Sequence, residues 1–387
     1  MRITHITDSY LPSLGGIEVQ VSGLAQRQAA AGHEVHVITS TPAARGDHGL
    51  SVEHEGPVTV HRLAARVPGD LPLHPRPAHH VRNLLADTKP DVVHLHTGVL
   101  APTTQASFRP VVRAGIPAVF TLHSVLSHYA AAHALLDRLV GWTRWPILLT
   151  AVSELAATPL RRIARDRVPV LVLHNGVDLD AWRVPRTERA DRAEGTAVHA
   201  VAATRFNPRK RVLPLLEAVR DAGERVDARA LHVTIAGEGP ELDDARRFVA
   251  RHGIRDRVSL PGRLSPVELK RLYARSDVYL APGVKDAFSV AVQEAQAAGL
   301  AILCRSQSGA AECLEHGVNG LLADDDAALS DELVRLATED GLLDSIVAHN
   351  RSTPPATTWP TVLADTMAAY ERAVAARDEF DARRVRA

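Results

Sequence analysis

The chain has 387 residues, 45% of them hydrophobic and 23% charged, and its 45 basic and 45 acidic side chains balance to a formal net charge of zero. That length suits two domains, or three, and the neutral balance gives no support for nucleic acid or an anionic membrane surface as a partner. No run of ~18 apolar residues is available to span a bilayer.

Met1-Arg-Ile-Thr-His5 reads directly as a strand, without the apolar core of a signal peptide. Ile3–Thr7, Glu34–Thr39, Val58–Leu63, Val92–Leu95, Ala118–Leu122, Leu148–Val152 and Val170–Leu173 are strand-like, most of them continuous apolar runs. Parallel strands buried on both faces have that composition. Helical stretches such as Glu18–Ala31, Arg76–Thr88 and Glu154–Arg165 lie between them, the last with Ser153 as its N-cap. From Asp180 to Gly195 the sequence is polar and unpatterned and reads as an interdomain linker. A second alternation follows, with strands at Val198–Ala203, His232–Ala236, Val258–Leu260, Val278–Ala281 and Ala301–Cys304. Its helices include Val212–Asp221, Glu241–His252, Pro266–Ser276 and Ser289–Ala298, and a last long helix covers about Pro360–Arg377. The expectation is two doubly wound α/β domains, 1–180 and 181–359, with the segment 360–387 crossing back onto the first. Cys304 and Cys313 lack metal-ligand spacing and fit a reducing cytoplasm, as two buried free thiols rather than a disulfide.

Ligands of such sheets bind at the carboxyl ends of strands, and the sequence places its unusual residues there. Gly15 and Gly16, before Glu18, let backbone amides approach a ligand. They do not form G-x-G-x-x-G, so a dinucleotide dehydrogenase is poorly supported. His123 follows the apolar strand Ala118–Leu122, where an imidazole can meet a substrate hydroxyl. His94 and His96 alternate on one strand face and raise the question of a metal. No Asp, Glu or Cys at supporting spacing completes a site, so lining of a cleft is favoured. His174-Asn175-Gly176 is a turn closing the last strand of the first half. Arg205 and Lys210 put two cations at the mouth of the second sheet, suited to a diphosphate. Only four of the 45 basic residues are lysines (Lys89, Lys210, Lys270 and Lys285), and two of them fall in these segments. Gly237-Glu238-Gly239-Pro240 is a strand-to-helix turn able to approach a nucleotide base. Asp324-Asp325-Asp326 reads as a helix cap, not a metal site.

The segment Ala281-Pro-Gly-Val-Lys-Asp-Ala-Phe-Ser-Val-Ala-Val-Gln-Glu294 is the most informative. Lys285 and Asp286 sit in a loop after a strand, a helix opens at Phe288–Ser289, and Glu294 lies about one and a half turns in. An exposed helix N-terminus suits a phosphate, and a carboxylate deeper in accepts hydrogen bonds from vicinal sugar hydroxyls.

With these motifs in this order the chain resembles the retaining glycosyltransferases of family four. The resemblance runs from Gly15-Gly16-Ile-Glu18 through Val152-Ser153-Glu154, Leu272-Tyr-Ala-Arg-Ser-Asp277 and Ala311-Glu312 to Gly317-Val-Asn-Gly320. It implies the GT-B fold, two Rossmann-like domains facing an interdomain cleft, and retaining transfer of a sugar from a nucleotide donor. The family's paired acids, spaced E-x7-E, map to Asp286, which would contact sugar hydroxyls, and Glu294, which would bind the ribose. Asp286 stands where the family has Glu, and Ser289 where it usually has Gly. The resemblance makes His123, Arg205, Lys210 and Asp286 the catalytic set. Arg205, Lys210 and the helix start would stabilise the departing diphosphate, and His123 would hold the donor sugar. It assigns donor binding to Gly16, Gly237, Glu238, Ala287, Phe288, Ser289, Val290 and Glu294, and acceptor contacts to Gly15, Glu18, His96 and Asn175.

The expected activity is that of a cytoplasmic, retaining hexosyltransferase with no cofactor and no metal. It would move a hexose or N-acetylhexosamine, with UDP favoured over GDP, to a small soluble polyol or aminocyclitol. The arginine- and alanine-rich composition suggests a GC-rich bacterial genome, where such acceptors occur in secondary, antibiotic-type metabolism. The alternatives are a lipid or cell-envelope glycan acceptor, a nucleotide-sugar 2-epimerase, and a silent sugar-nucleotide-binding protein. Expected partners are the donor and a hydroxylated acceptor, without nucleic acid or stable membrane insertion; a homodimer stays open.

Overall fold

Most of the apolar runs fold as parallel strands. The computed structural model describes residues 1–13, 15–43, 49–65, 74–126, 129–184, 197–227 and 230–386. The chain divides into two compact units, Met1–Gly176 with Trp359–Ala387, and Val177–Thr358.

In the first unit the elements are β1 (Arg2–Thr7), α1 (Gly16–Ala30), β2 (Glu34–Thr39), β3 (Gly49–Glu55), β4 (Val58–Ala64), α2 (Pro77–Thr88), β5 (Val92–Thr97), α3 (Pro102–Arg113), β6 (Ala118–Leu122), α4 (Ala130–Val140), β7 (Ile147–Ala151), α5 (Glu154–Ala164) and β8 (Val170–Val172). The sheet order is β3-β4-β2-β1-β5-β6-β7-β8. Every pair is parallel except β3–β4. Sequence reading missed β3 for a physical reason. It is an edge strand reached through a tight turn at Gly56, φ +58°, and its apolar side chains Leu50 and Val52 face solvent. No buried run marks it. The register sets His5 opposite His94 on neighbouring strands. Ser153 caps α5 as expected, accepting from the Ala156 amide at 3.1 Å.

The second unit holds α6 (Leu179–Trp182), β9 (Val198–Ala203), α7 (Val212–Arg225), β10 (Leu231–Ala236), α8 (Leu242–Arg251), β11 (Val258–Gly262), α9 (Pro266–Tyr273), β12 (Val278–Ala281), α10 (Val290–Ala297), β13 (Ala301–Arg305), β14 (Gly320–Ala323), α11 (Asp326–Thr338) and α12 (Leu342–Ser352). Its six strands run in the order β11-β10-β9-β12-β13-β14, all parallel. Chain order reverses between β9 and β12, so their carboxyl ends open the crevice where such sheets bind ligands. Val198, Val233, Leu280, Leu303 and Leu321 fill the core. The linker expected from 180 onward is corrected at its start. Leu179–Trp182 form a helical turn capped by Asp178, and Trp182 packs 5.5 Å from the Tyr273 ring. Residues 185–196 of that stretch lie outside the described residues. Asp325 caps α11 as expected, and both cysteines are free thiols, Cys304 buried and Cys313 half-buried.

The last helix, α13 (Trp359–Arg386), belongs to the first unit. Ala369, Tyr370 and Ala373 enter the same core as Ile3, Val37 and Val92. Among the described residues no helix is long and apolar enough to cross a membrane.

Candidate functional site

At the carboxyl end of β9 the chain turns outward at the exposed Arg205. The Asn207 side chain accepts from the Lys210 amide at 3.1 Å and starts the turn Pro208–Lys210 that leads into α7. That turn aims Lys210 back at the loop after β12. Its Nζ donates to both carboxylate oxygens of Asp286, at 2.7 and 2.8 Å, with the side chains 33% and 16% exposed. Nearby the Arg209 guanidinium reaches the Lys285 carbonyl at 3.5 Å.

Three close approaches hold the two loops, one at the loop after β12 and two at the β9–α7 loop. The Gly309 amide donates to the Asp286 carbonyl at 2.8 Å, and a methyl on Gly309 would lie 1.9 Å from the Ala287 oxygen. In the neighbouring turn after β10, Gly237 and Gly239 have φ of +144° and +149°. Methyls there would lie 1.8 and 2.4 Å from the Thr204 and Phe206 carbonyl oxygens, so only glycine lets this turn lie on the β9–α7 loop. Glu238 between them is exposed and pairs with Arg263 at 3.1 Å.

Helix α10 starts one residue later than expected. Ser289 is its N-cap, in extended backbone, but its hydroxyl caps no amide. No side-chain cap therefore competes with an anion at this helix start, although the Val292 amide already donates to the Ser289 carbonyl at 3.1 Å. Ala287 is buried, and Phe288, Ser289 and Val290 are half-buried around that start. Glu294 is half-buried, with no hydrogen-bond or ion-pair partner shown among the described residues. Burial pushes its carboxyl up to about 7. The structure thus brings Arg205, Lys210, Asp286, the α10 start, the two glycines and Glu294 into one unit, around the reversal of its strand order.

In the first unit a methyl on Gly15 would meet the Glu18 carboxylate at 2.4 Å, whereas Gly16 is exposed with open space around its Cα. Asn175 is buried in its turn. His96 is corrected from acceptor contact to interior support. It is 2% exposed, and its two ring nitrogens lie 2.9 Å from His5 and 3.0 Å from His123. His94 is likewise buried, bonded to the Tyr370 hydroxyl at 3.0 Å and Thr121 at 2.7 Å, and does not line a cleft. Both lie on one face of β5, where Tyr370 of α13 packs edge-on against the His94 ring. Ligating atoms of His5, His94 and His96 lie within 4.8 Å of one another, close enough for a metal. Each of those nitrogens already has a protein partner, so the cluster is satisfied as it stands. Burial lowers the His5 and His123 pKa values to about 4 and those of His94 and His96 well below the usual value, so all four rings are neutral at pH 7.

At the carboxyl ends of β5 and β6, where the His123 amide donates to the Thr97 carbonyl at 2.8 Å, the strand face opposite the His123 ring lines an apolar pocket of about 250 Å³. Thr97, Phe108, Phe120, Leu126, Trp142 and Trp145 are among the residues lining it.

Two family models match the chain in succession, Glycosyltransferase Family 4 over residues 14–181 and Glycosyl transferases group 1 over residues 187–352. The chain belongs to glycosyltransferase family four. Among its relatives, the GDP-mannose-dependent alpha-mannosyltransferase of Mycolicibacterium smegmatis is 27% identical, covering 97% of this chain and 99% of the relative. The N-acetyl-alpha-D-glucosaminyl L-malate synthase of Bacillus anthracis is 24% identical over 86% of this chain and 87% of the relative. Anabaena Alr3699/HepE, solved with UDP and glucose, superposes with a TM-score of 0.72 at 18% identity, covering 95% and 98%. Both units of this glycosyltransferase therefore have the Rossmann-like architecture of GT-B enzymes.

Sequence reasoning missed several residues of the glycosyltransferase that build these sites. Asn207 aims Lys210, and its place before Pro208 is a visible capping signal. Gly309 seats the Asp286 loop through a contact that spacing does not reveal. Gln28 and Tyr370 join the histidine cluster from helices far apart in the chain, with no local pattern to mark them.

Proposed function

We propose that the enzyme transfers a hexose or N-acetylhexosamine from a nucleoside-diphosphate sugar to an acceptor hydroxyl, with retention and without a metal. The observation carrying this reading is the Lys210–Asp286 pair beside the open start of α10, at the strand-order reversal of the second sheet. A diphosphate needs cations and backbone donors. Arg205, Lys210 and the α10 amides supply them without a metal. Glu294, with no hydrogen-bond or ion-pair partner shown among the described residues, has the chemistry to accept from ribose hydroxyls. Asp286 has the same chemistry for the transferred sugar.

In this reading the bond from the sugar's anomeric carbon to the diphosphate oxygen breaks as the acceptor oxygen attacks the same face. The acceptor proton passes to the leaving phosphate. Charge building on that diphosphate meets preorganised cations, the largest single source of rate in such sites. UDP is the favoured donor nucleotide; GDP is the rival, since the mycobacterial relative is GDP-mannose-dependent by name.

A small soluble polyol or aminocyclitol is the first acceptor to try. The apolar pocket beside Thr97, with the exposed Leu135 and Leu139 of α4, favours a second reading, an acceptor carrying a lipid or other apolar portion. A thermal-shift screen of UDP and GDP sugars, followed by acceptor trials with the best donor, tests the proposal. Transfer with the anomeric configuration kept, read by NMR of the product, is expected. Release of an epimerised nucleotide sugar from the donor alone would replace transfer with epimerisation. Binding without any turnover would leave only a sugar-nucleotide-binding protein.

A further inference from the structure

We propose that a one-way chain of hydrogen bonds through the first sheet fixes His123 in its Nε2–H tautomer, leaving Nδ1 an obligate acceptor for a hydroxyl of the substrate. The direction of the chain follows from its far end. The Thr150 hydroxyl lies 3.0 Å from the Phe120 carbonyl oxygen, which can only accept, so its one proton points there. Thr150 then accepts from the Thr121 hydroxyl at 2.6 Å. With its own proton spent, Thr121 accepts from His94 Nε2–H at 2.7 Å. His94 is neutral, so its Nδ1 carries no proton and accepts from the Tyr370 hydroxyl at 3.0 Å.

Tyr370 must therefore accept from the Gln28 amide nitrogen, 3.0 Å away. That orients Gln28 with its oxygen toward His5 Nε2 at 2.7 Å, which must carry the proton. Neutral His5 then accepts at Nδ1 from His96 Nε2–H at 2.9 Å. Neutral His96 accepts in turn from His123 Nε2–H at 3.0 Å. The last ring has no second proton. Its Nδ1 is shielded from solvent and has no hydrogen-bond partner among the described residues. A buried bare acceptor carries a desolvation penalty until a donor reaches it.

The consequence is a choice of ligand chemistry. A sugar or acceptor hydroxyl can donate to this nitrogen; a carbonyl, ether or carboxylate oxygen in the same place would meet lone pair with lone pair. Gln28, Tyr370, His5, His94 and His96 are positioning residues that act through His123. The identity of the donor as a substrate hydroxyl rests on the glycosyl-transfer reading, whereas the tautomer does not.

The experiment is long-range ¹H–¹⁵N NMR on the full-length chain with ¹⁵N-labelled histidine, the His123 ring assigned by its loss in His123→Asn. In the free protein a single Nε2–H tautomer with an unprotonated Nδ1 is expected. Tyr370→Phe removes the link that orients Gln28, so a mixture of tautomers at His123 is expected there. Thr150→Val, which removes the anchor on the Phe120 carbonyl, is the second variant and should release the same mixture. Addition of a turned-over nucleotide sugar, or of its acceptor, should shift the Nδ1 resonance as that nitrogen accepts. An Nδ1–H tautomer in the wild type, an unchanged single tautomer in both variants, or a stoichiometric metal replacing the His5–His96 bond would each overturn the proposal. The first arm uses no substrate, so its failure leaves glycosyl transfer standing. Absence of turnover with every donor leaves the tautomer standing.

Discussion

Lys210 and Asp286, 76 positions apart, are joined by two hydrogen bonds of 2.7 and 2.8 Å from one ammonium to both carboxylate oxygens. The family resemblance gives each a different part of the ligand, Lys210 the diphosphate and Asp286 the sugar. Their pairing means that one positions the other before any ligand arrives, and that neither can be altered alone without changing its partner's charge environment.

Loss of Lys210 should therefore be severe and coupled. Lys210→Ala and Arg205→Ala are each expected to lower kcat by ~10²-fold or more, the scale of losing one charge-stabilising donor. Asp286→Asn should also impair turnover, and the Lys210→Ala/Asp286→Asn double variant should lose less than the product of the two singles. Steady-state kinetics on the four proteins measures this. Strict multiplicativity would show that the pair does not act as a unit, and wild-type turnover in the Lys210 variant would remove it from catalysis.

Glu294 gives the reaction a pH signature. Burial raises its carboxyl to about 7, above the unfolded value of 4.5. Below about 4.5 the group is protonated in both states, and its contribution to stability is fully present. As pH rises through 7 the folded protein must ionise a desolvated acid, and that contribution is lost. Nucleotide binding runs the other way, because ribose hydroxyls donate best to an ionised carboxylate. Calorimetry should show affinity for the nucleotide product rising between pH 6 and 8, with Glu294→Gln weaker and flat over the same range. An unchanged affinity in Glu294→Ala would remove the ribose role.

Gly309 should behave as a site residue although it touches no ligand atom in this reading. A methyl there lies 1.9 Å from the Ala287 oxygen, so the 286–289 backbone must move. Gly309→Ala is expected to cost ~1–3 kcal/mol of stability, the range for overpacking, and to raise the donor KM more than Gly317→Ala does. Gly317 has open space for a methyl but φ +82°, so it controls for backbone strain alone. Thermal melting together with donor titration separates the two effects, and a Gly309 variant with wild-type KM would show that the loop is not held from this side.

The parallel strands were legible because burial on both faces writes continuous apolar runs, as in Val92–Leu95 and Ala118–Leu122. The edge strand β3 was not, since Leu50 and Val52 are exposed and follow no core pattern. Lys210, Asp286 and Glu294 were legible from their spacing after strand ends, and the rarity of lysine helped. Their mutual contact was not, because it depends on how Asn207 turns one loop and Gly309 pins another. The histidine chain was invisible for a different reason. Gln28 and Tyr370 are 342 positions apart on two helices, and only the sheet register brings His5 beside His94 and so gathers them.

The acceptor's character, small and polar or partly apolar, is open to test at α4. Leu135, Leu136 and Leu139 expose 57%, 48% and 77% of their surface, and Leu136 also lines the apolar pocket. Exposed leucines clustered on one helix beside such a pocket mark a surface suited to an apolar ligand segment. Leu136→Asp is expected to leave donor affinity unchanged and to raise KM for an alkyl-bearing acceptor by about tenfold, equivalent to ~1.4 kcal/mol. The KM for a free polyol should not move. Equal effects on both acceptors would point to local unfolding of α4, and no effect on either would return the preference to a small polar acceptor. Because the substitution lies in the first unit and donor affinity is read separately, the outcome reports on the acceptor alone.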